Sequence, residues 1–117
     1  MEIKVNFKGK RIDVSVKKVG AFGKISGLMF KPRETENLLF DFGKLGRWNI
    51  HSFFVFFPFL AIWTDENNNV LETRVIEPFT FSIKPKKPFN KLIEIPLNEK
   101  NTKIIEFFVG KRKDLYR

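Results

Sequence analysis

The sequence predicts a small all-β domain, mostly antiparallel, folded as a barrel or sandwich of about seven to nine short strands with at most one or two short helical turns. Three observations predict it. Short segments alternate apolar and polar residues, turn residues recur between them every 8–12 residues or so, and no amphipathic helical pattern exceeds about ten residues. The chain has 117 residues, which we assign to one domain at 1–110 and a basic tail at 111–117.

The first 32 residues predict a β-hairpin followed by a loop. Apolar and polar residues alternate over 2–7 and again over 11–16, and a glycine-bearing loop at 8–10 separates the two runs. This pattern is typical of a hairpin with one buried face, and its other face is basic. Three glycines then interrupt 17–32. Each would cost a helix about 1 kcal/mol relative to alanine, so we expect a loop or one short helical turn ending at Pro32.

The rest of the chain predicts further short strands. Of these, 48–57 is the most β-prone, and Pro58 after it indicates a bend or an edge position. The run 65–69 favours a turn, and the Lys-Pro run 84–88 favours an exposed loop. The predicted strands are 38–42, 48–57, 59–63, 70–76, 79–83, 91–96 and 104–109.

Several motifs occur in an order that resembles one known family. They are Gly27-Leu28-Met29-Phe30, the runs 38–42 and 50–58, Asp65 in a turn, and the run 91–96. The order is similar to that of domain-of-unknown-function family 192, also called uncharacterised protein family 0127, over about residues 11–110. The resemblance implies a small, mostly β domain and brings no established activity.

In two departures from the family pattern, the chain resembles the archaeal-type members of that family. Many bacterial members have an arginine where this chain has Ser26, and polar residues where it has the run 52–55, Ser-Phe-Phe-Val. A polar pocket that relatives build from these positions is therefore not carried over to this chain.

The residue types present count against several kinds of chemistry. The chain has no cysteine and one histidine, which leaves no thiolate ligand set and no cysteine nucleophile. We find no phosphate-binding glycine loop, no nucleophile elbow and no carboxylate spacing that would complete a metal site. We therefore predict no cofactor, no metal and no catalytic residues, and rank an enzyme below two kinds of binding protein.

The first prediction is a non-catalytic module that binds a small molecule or another protein. Aromatic and basic side chains at predicted strand ends could line a pocket, beside the single histidine. A histidine hydrogen-bonded to the backbone is the plainer interpretation. The candidate ligand-binding residues are Arg47, Trp48, His51 and Trp63.

The alternative prediction is a domain that binds a polyanion or nucleic acid. The net charge is +9, with basic flanks at 1–33 and 84–117 around an acidic, aromatic middle. A lysine-rich surface that serves solubility explains the same charge, and we favour that explanation because no recognition motif accompanies it. The candidate residues are Lys84, Lys86, Lys87, Lys111, Arg112 and Lys113.

The 15 phenylalanines leave one further interpretation open. The dense run 53–59 favours the core, but a strand with aromatic residues on both faces would leave some of them outside. Such a patch could serve a protein partner or a homodimer.

The most apolar stretch, 53–63, is too short for a membrane-spanning helix and contains Pro58, so we predict no membrane association and a cytoplasmic protein.

Overall fold

The structure, a computed structural model, describes residues 1–20, 27–48, 50, 52 and 54–111. The described residues form mostly antiparallel strands and little helix, which confirms the all-β prediction. A 3-10 turn at Glu99–Asn101 leads into the helix α1, Thr102–Val109. The strands are β1 (Glu2–Phe7), β2 (Lys10–Ser15), β3 (Lys17–Lys18), β4 (Leu38–Gly46), β5 (Phe59–Thr64), β6 (Val70–Ile76) and β7 (Phe89–Pro96).

The predicted N-terminal hairpin is confirmed. β1 and β2 pair antiparallel from Glu2 opposite Ser15 to Phe7 opposite Lys10. Lys8 and Gly9, the two loop residues, both have positive φ, of 50° and 77°. Two consecutive positive φ values are typical of the tight turns whose twist matches that of the flanking strands.

The other five strands form one sheet in the order β3-β4-β7-β5-β6. β3 runs parallel to β4, and the remaining neighbours are antiparallel. β7 lies in the middle, and nearly all of its residues are buried. A strand that is covered on both faces has apolar residues at successive positions, as the run 91–96 does.

Each face of this sheet has its own hydrophobic core. The first core joins the sheet to the inner face of the hairpin and to α1, with Ile62 and Ile93 meeting Val5 and Ile105. On the opposite face, loops cover the sheet, and their side chains Leu28, Val55, Phe57 and Ile83 fill the second core. The second core carries the candidate site, because its covering loops also present side chains to solvent.

The predicted strand at 104–109 is wrong, because this segment lies in α1. Ile105 and Phe108, three residues apart, are buried on one helix face. The side chain of Asn98 accepts a hydrogen bond from the Asn101 N–H and so caps the preceding 3-10 turn. Over six residues, strand and helix periodicities cannot be distinguished, so the cap was the informative signal.

The predicted strands 48–57 and 79–83 are also wrong within the described residues. They touch through one isolated bridge, between Ile50 and Ile83. Phe54 and Phe79 have φ of 55° and 59°, in a region that strands do not use. The described residues of both segments belong to loops that lie over the second core.

The predicted strands on either side of the 65–69 turn are confirmed as β5 and β6. Asp65 holds the turn, accepting hydrogen bonds from the backbone N–H groups of Asn67 and Asn69 at 2.9 Å each. Burial acts to raise the pKa of Asp65, but these hydrogen bonds outweigh it and the pKa is lowered. Asp65 therefore has a structural role in this turn.

Candidate functional site

Four exposed phenylalanines form a contiguous cluster on the loops that cover the second core. Phe30 is 67% exposed, Phe54 45%, Phe56 61% and Phe79 44%, well above what a ring of a core residue shows. We call Phe30, Phe54, Phe56 and Phe79 the aromatic surface. Phe81, 74% exposed, follows two residues after Phe79.

The rings of the aromatic surface touch one another. Phe30 stacks on Phe54, with centroids 4.9 Å apart and planes 18° apart. Phe79 meets Phe56 edge-on at 5.3 Å and Phe54 at 6.3 Å. The four rings therefore form one apolar patch rather than four separate exposed side chains.

Three of these four residues have a backbone conformation that a bulky side chain rarely adopts. The φ angles are 60° at Phe30, 55° at Phe54 and 59° at Phe79. A positive φ costs a non-glycine residue about 1 kcal/mol or more, and such positions concentrate at binding sites. The surrounding structure must therefore hold these rings outward.

Ser52 supplies much of that support. Its side chain is fully buried, donates to the Glu77 carbonyl oxygen at 2.7 Å and accepts from the Thr80 N–H at 2.5 Å. Its backbone N–H donates to the Thr80 carbonyl, and its carbonyl accepts from the Phe79 N–H, both at 2.8 Å. In addition, the Phe30 N–H donates to the Phe54 carbonyl at 2.9 Å. These bonds join the three loops that carry the aromatic surface.

The predicted ligand-binding residues take different positions. Trp63 is fully buried in the second core, and Trp48 is half-buried and stacked on Phe42 at 4.6 Å. Both tryptophans contact Phe89, at 5.5 Å for Trp48 and 6.5 Å for Trp63. His51 lies outside the described residues, so a pocket at these positions stays a prediction.

Arg47, the remaining member of that set, fixes a loop. Its Nε and Nη2 donate to the Pro85 carbonyl oxygen at 3.3 and 3.0 Å. Arg74 donates to the Lys84 carbonyl at 3.4 Å, and the Glu72 carboxylate accepts from the Lys86 N–H at 2.8 Å. Three side chains therefore hold the backbone of residues 84–88, which we call the basic loop.

The basic loop presents its lysines to solvent. Lys84, Lys86 and Lys87 are exposed, and no acid of the described chain lies within ion-pair distance of their ammonium groups. Lys111 is exposed as well, whereas Arg112 and Lys113 lie outside the described residues. Of the predicted polyanion-binding residues, the structure thus brings the first three together.

Sequence reasoning missed Glu94, a buried carboxyl on β7. It is 5% exposed, and its cross-strand neighbours are Leu38 and Ala61. Burial raises its pKa to about 8. A glutamate in the middle of the apolar run 91–96 was the signal, because a strand buried on both faces leaves it no solvent-facing position.

Trp63 adds a second buried polar group on the same face of the sheet. Its Nε1–H has no hydrogen-bond partner among the described residues. The ring lies under the Arg74 guanidinium, whose carbon is 5.3 Å from the ring centroid. Trp63 opposes Leu92, two residues from Glu94, so the two side chains are diagonal neighbours across β5 and β7.

Within the described ranges, no three histidine, aspartate or glutamate side chains are placed to hold a metal ion. None of the helices in the described part of the chain is long and apolar enough to cross a membrane.

Comparisons with known proteins give structural likeness alone. No family model matches this chain, and no curated protein matches it. A crystal structure from Sinorhizobium meliloti 1021, of a protein called a "putative transcription regulator", superposes with a TM-score of 0.70 at 17% identity, covering 86% of this chain and 81% of that one. A protein of unknown function from Novosphingobium aromaticivorans superposes with a TM-score of 0.70 at 13% identity, covering 88% of this chain and 76% of that one. At these identities, the likeness shows that the fold is shared.

Proposed function

We propose that this protein is a non-catalytic binding module that docks another protein on its aromatic surface. The observation that carries the proposal is the cluster of four mutually packed, exposed phenylalanines, three of them on strained backbone. Together they expose apolar area on the order of 400 Å², the size of the largest apolar patch on a typical monomer, and such patches are often functional. Aromatic side chains are also the residues that most often dominate binding energy at protein interfaces.

The ring geometry favours a protein partner over a single-stranded nucleic acid. Base stacking needs free ring faces at the spacing of successive bases. Phe30 and Phe54 instead cover each other's faces, and the run 54–58 contains no lysine or arginine. A closed apolar patch of this kind suits an apolar partner surface.

Phe56→Ser tests the aromatic surface. Peptides of about 16 residues, selected from a random display library on the immobilised wild-type protein, should bind the variant at least roughly tenfold more weakly, because hot-spot aromatics contribute 2 kcal/mol or more. Binding is measured by fluorescence anisotropy. The fold should persist, because the Phe56 ring is already 61% exposed.

Leu45→Ser is the matched control, because Leu45 is also exposed, at 60%, and lies on β4 outside the aromatic surface. It should leave peptide binding unchanged. Selected peptides that bind both variants equally, or a selection that enriches none, would contradict the proposal.

A second candidate function is polyanion binding by the basic loop. Its three lysines are unpaired within the described chain, and its backbone is held in place by Arg47, Arg74 and Glu72. A structural neighbour called a "putative transcription regulator" also favours a nucleic-acid partner. Contacts of this kind would bind phosphates without reading sequence.

We also propose that the chain belongs to domain-of-unknown-function family 192. The motifs at 27–30 and 50–58 support this assignment, as does the mostly β fold. A member whose solved structure lacked the strand order β3-β4-β7-β5-β6 would contradict it.

A further inference from the structure

The charge around the aromatic surface indicates what kind of protein segment would fit it. Lys31, exposed and unpaired within the described chain, directly follows Phe30. Lys84, the first lysine of the basic loop, comes five residues after Phe79 of the aromatic surface, so the two Cα atoms lie within about 18 Å of each other even on a fully extended chain. The exposed acids of these loops are Glu77, two residues before Phe79, and Glu34 and Glu36, which follow Lys31. The positive charge is concentrated on the side of the basic loop, whose three exposed lysines have no acid of the described chain within ion-pair distance of their ammonium groups.

We propose that the partner segment is acidic and amphipathic, with an apolar stripe that covers the phenylalanines and carboxylates that face Lys31 and the basic loop. This inference rests on the proposed function and names its partner class. A helix of about 16 residues spans roughly 24 Å, enough to reach from the aromatic surface to the basic loop. Opposite charges at the rim would steer the encounter and fix the orientation of the segment.

A second copy of this chain fits the surface less well. A symmetric dimer places the same patch against itself, so each copy would bring its basic rim to the rim of the other. Both copies carry a net charge of +9, and like charges at an interface disfavour the complex. The observations therefore favour an acidic partner.

The test uses three synthetic peptides with the same leucine and tryptophan stripe at helical spacing and a polar face of glutamate, glutamine or lysine. Their affinities for the full chain are measured by fluorescence anisotropy. We expect the glutamate peptide to bind about tenfold tighter than the glutamine peptide, and the lysine peptide to bind more weakly than both. The advantage of the glutamate peptide should shrink as salt rises.

Charge reversal supplies the matched pair of variants. The triple variant Lys84→Glu, Lys86→Glu, Lys87→Glu should abolish the preference for glutamate. The triple variant Lys10→Glu, Lys17→Glu, Lys18→Glu changes the net charge equally at exposed lysines of β2 and β3, and it should keep the preference.

A failure of the acidic-partner proposal and a failure of the proposed docking function give different results. Equal binding of the three peptides, lost with Phe56→Ser, would overturn the acidic partner and leave the proposed docking function standing. Binding that does not depend on Phe56 would overturn both. Self-association in sedimentation that Phe56→Ser removes would replace the acidic partner with a second copy of this chain.

Discussion

Glu94 is held inside the sheet, and no charged side chain of the described residues compensates for its burial. Leu38 and Ala61 flank it on the adjacent strands, and a Cβ built on Gly27 would lie 3.3 Å from its Oε1. Because burial raises the pKa of this carboxyl to about 8, the neutral acid predominates in the folded protein at pH 7. Its ordinary pKa in the unfolded chain is 4.5. The folded state therefore binds more protons than the unfolded state between these two values.

Glu94→Gln should make the stability of the protein less dependent on pH. In the wild type, the free energy of unfolding should fall as pH rises from about 4.5 to 8 and level off above that, because the unfolded state releases the proton first. The loss over this window should be a few kcal/mol, since one pKa unit corresponds to about 1.4 kcal/mol. Urea unfolding followed by tryptophan fluorescence at several pH values measures it.

Glu66→Gln is the control for this measurement, because Glu66 is exposed in the 65–69 turn. It should keep the wild-type dependence of the free energy of unfolding on pH. If Glu94→Gln and Glu66→Gln gave the same slope, the buried carboxyl would not be the source of the pH dependence.

At the level of elements, the sequence predicted the strands of the two hairpins correctly, because there an alternating pattern and turn residues occur together. The hairpin β1–β2 has its glycine turn, and β5–β6 has the Asp65 turn, so pairing partners are neighbours in sequence. The run 48–57 has equally β-prone residues, but its partners lie some 25–30 residues away, and its path is set by bonds from Ser52 to Glu77 and Thr80. Tertiary contacts of this kind override β-propensity.

Only part of the candidate site could be predicted from the sequence. The high density of aromatic residues in 53–59 indicated that some of them would face outward. In the structure, Phe54 and Phe56 are exposed, whereas Val55 and Phe57 are buried. Phe30 joins them from a distant part of the chain, through a positive φ that no periodicity encodes. A patch assembled from three loops cannot be read from any one of them.

Ser52→Ala tests whether the buried hydroxyl holds these loops together. The substitution leaves the Thr80 N–H without its acceptor, whereas the Glu77 carbonyl still accepts from the Thr80 hydroxyl at 2.8 Å. It should cost about 1–3 kcal/mol and lower the melting temperature by several degrees. It should also weaken binding at the aromatic surface, because Phe79 lies between Glu77 and Thr80, the two residues that the Ser52 hydroxyl holds. Calorimetry and peptide anisotropy measure the two effects.

Ser82→Ala serves as the control, since Ser82 is exposed on the same loop. Both readings should stay at the level of the wild type. A Ser52→Ala protein with unchanged melting temperature and peptide affinity would show that the aromatic surface does not depend on this serine.

For the whole molecule, the net charge of +9 has two possible effects: it attracts polyanions over the whole surface, or it binds them mainly at the basic loop. Exposed lysines occur on the hairpin, on β3, on the basic loop and at Lys111, so a general attraction to polyanions is expected from charge alone. The basic loop differs from the other positions because Arg47, Arg74 and Glu72 hold its backbone. Lysines on a fixed backbone lose less conformational freedom when they bind phosphates, which favours this loop over the other lysines.

Labelled single-stranded and duplex nucleic acids, titrated with the protein at roughly 50 and 200 mM salt, separate the two possibilities. We expect binding at low salt that weakens steeply at the higher salt. Changing Lys84, Lys86 and Lys87 together to alanine should reduce the affinity and lower the salt slope by about two to three, since each phosphate contact contributes 0.7–0.9. The matched change of Lys10, Lys17 and Lys18 should have a smaller effect. Equal effects of the two triple variants would mean a general attraction, and no binding at low salt would contradict a nucleic-acid partner for the basic loop.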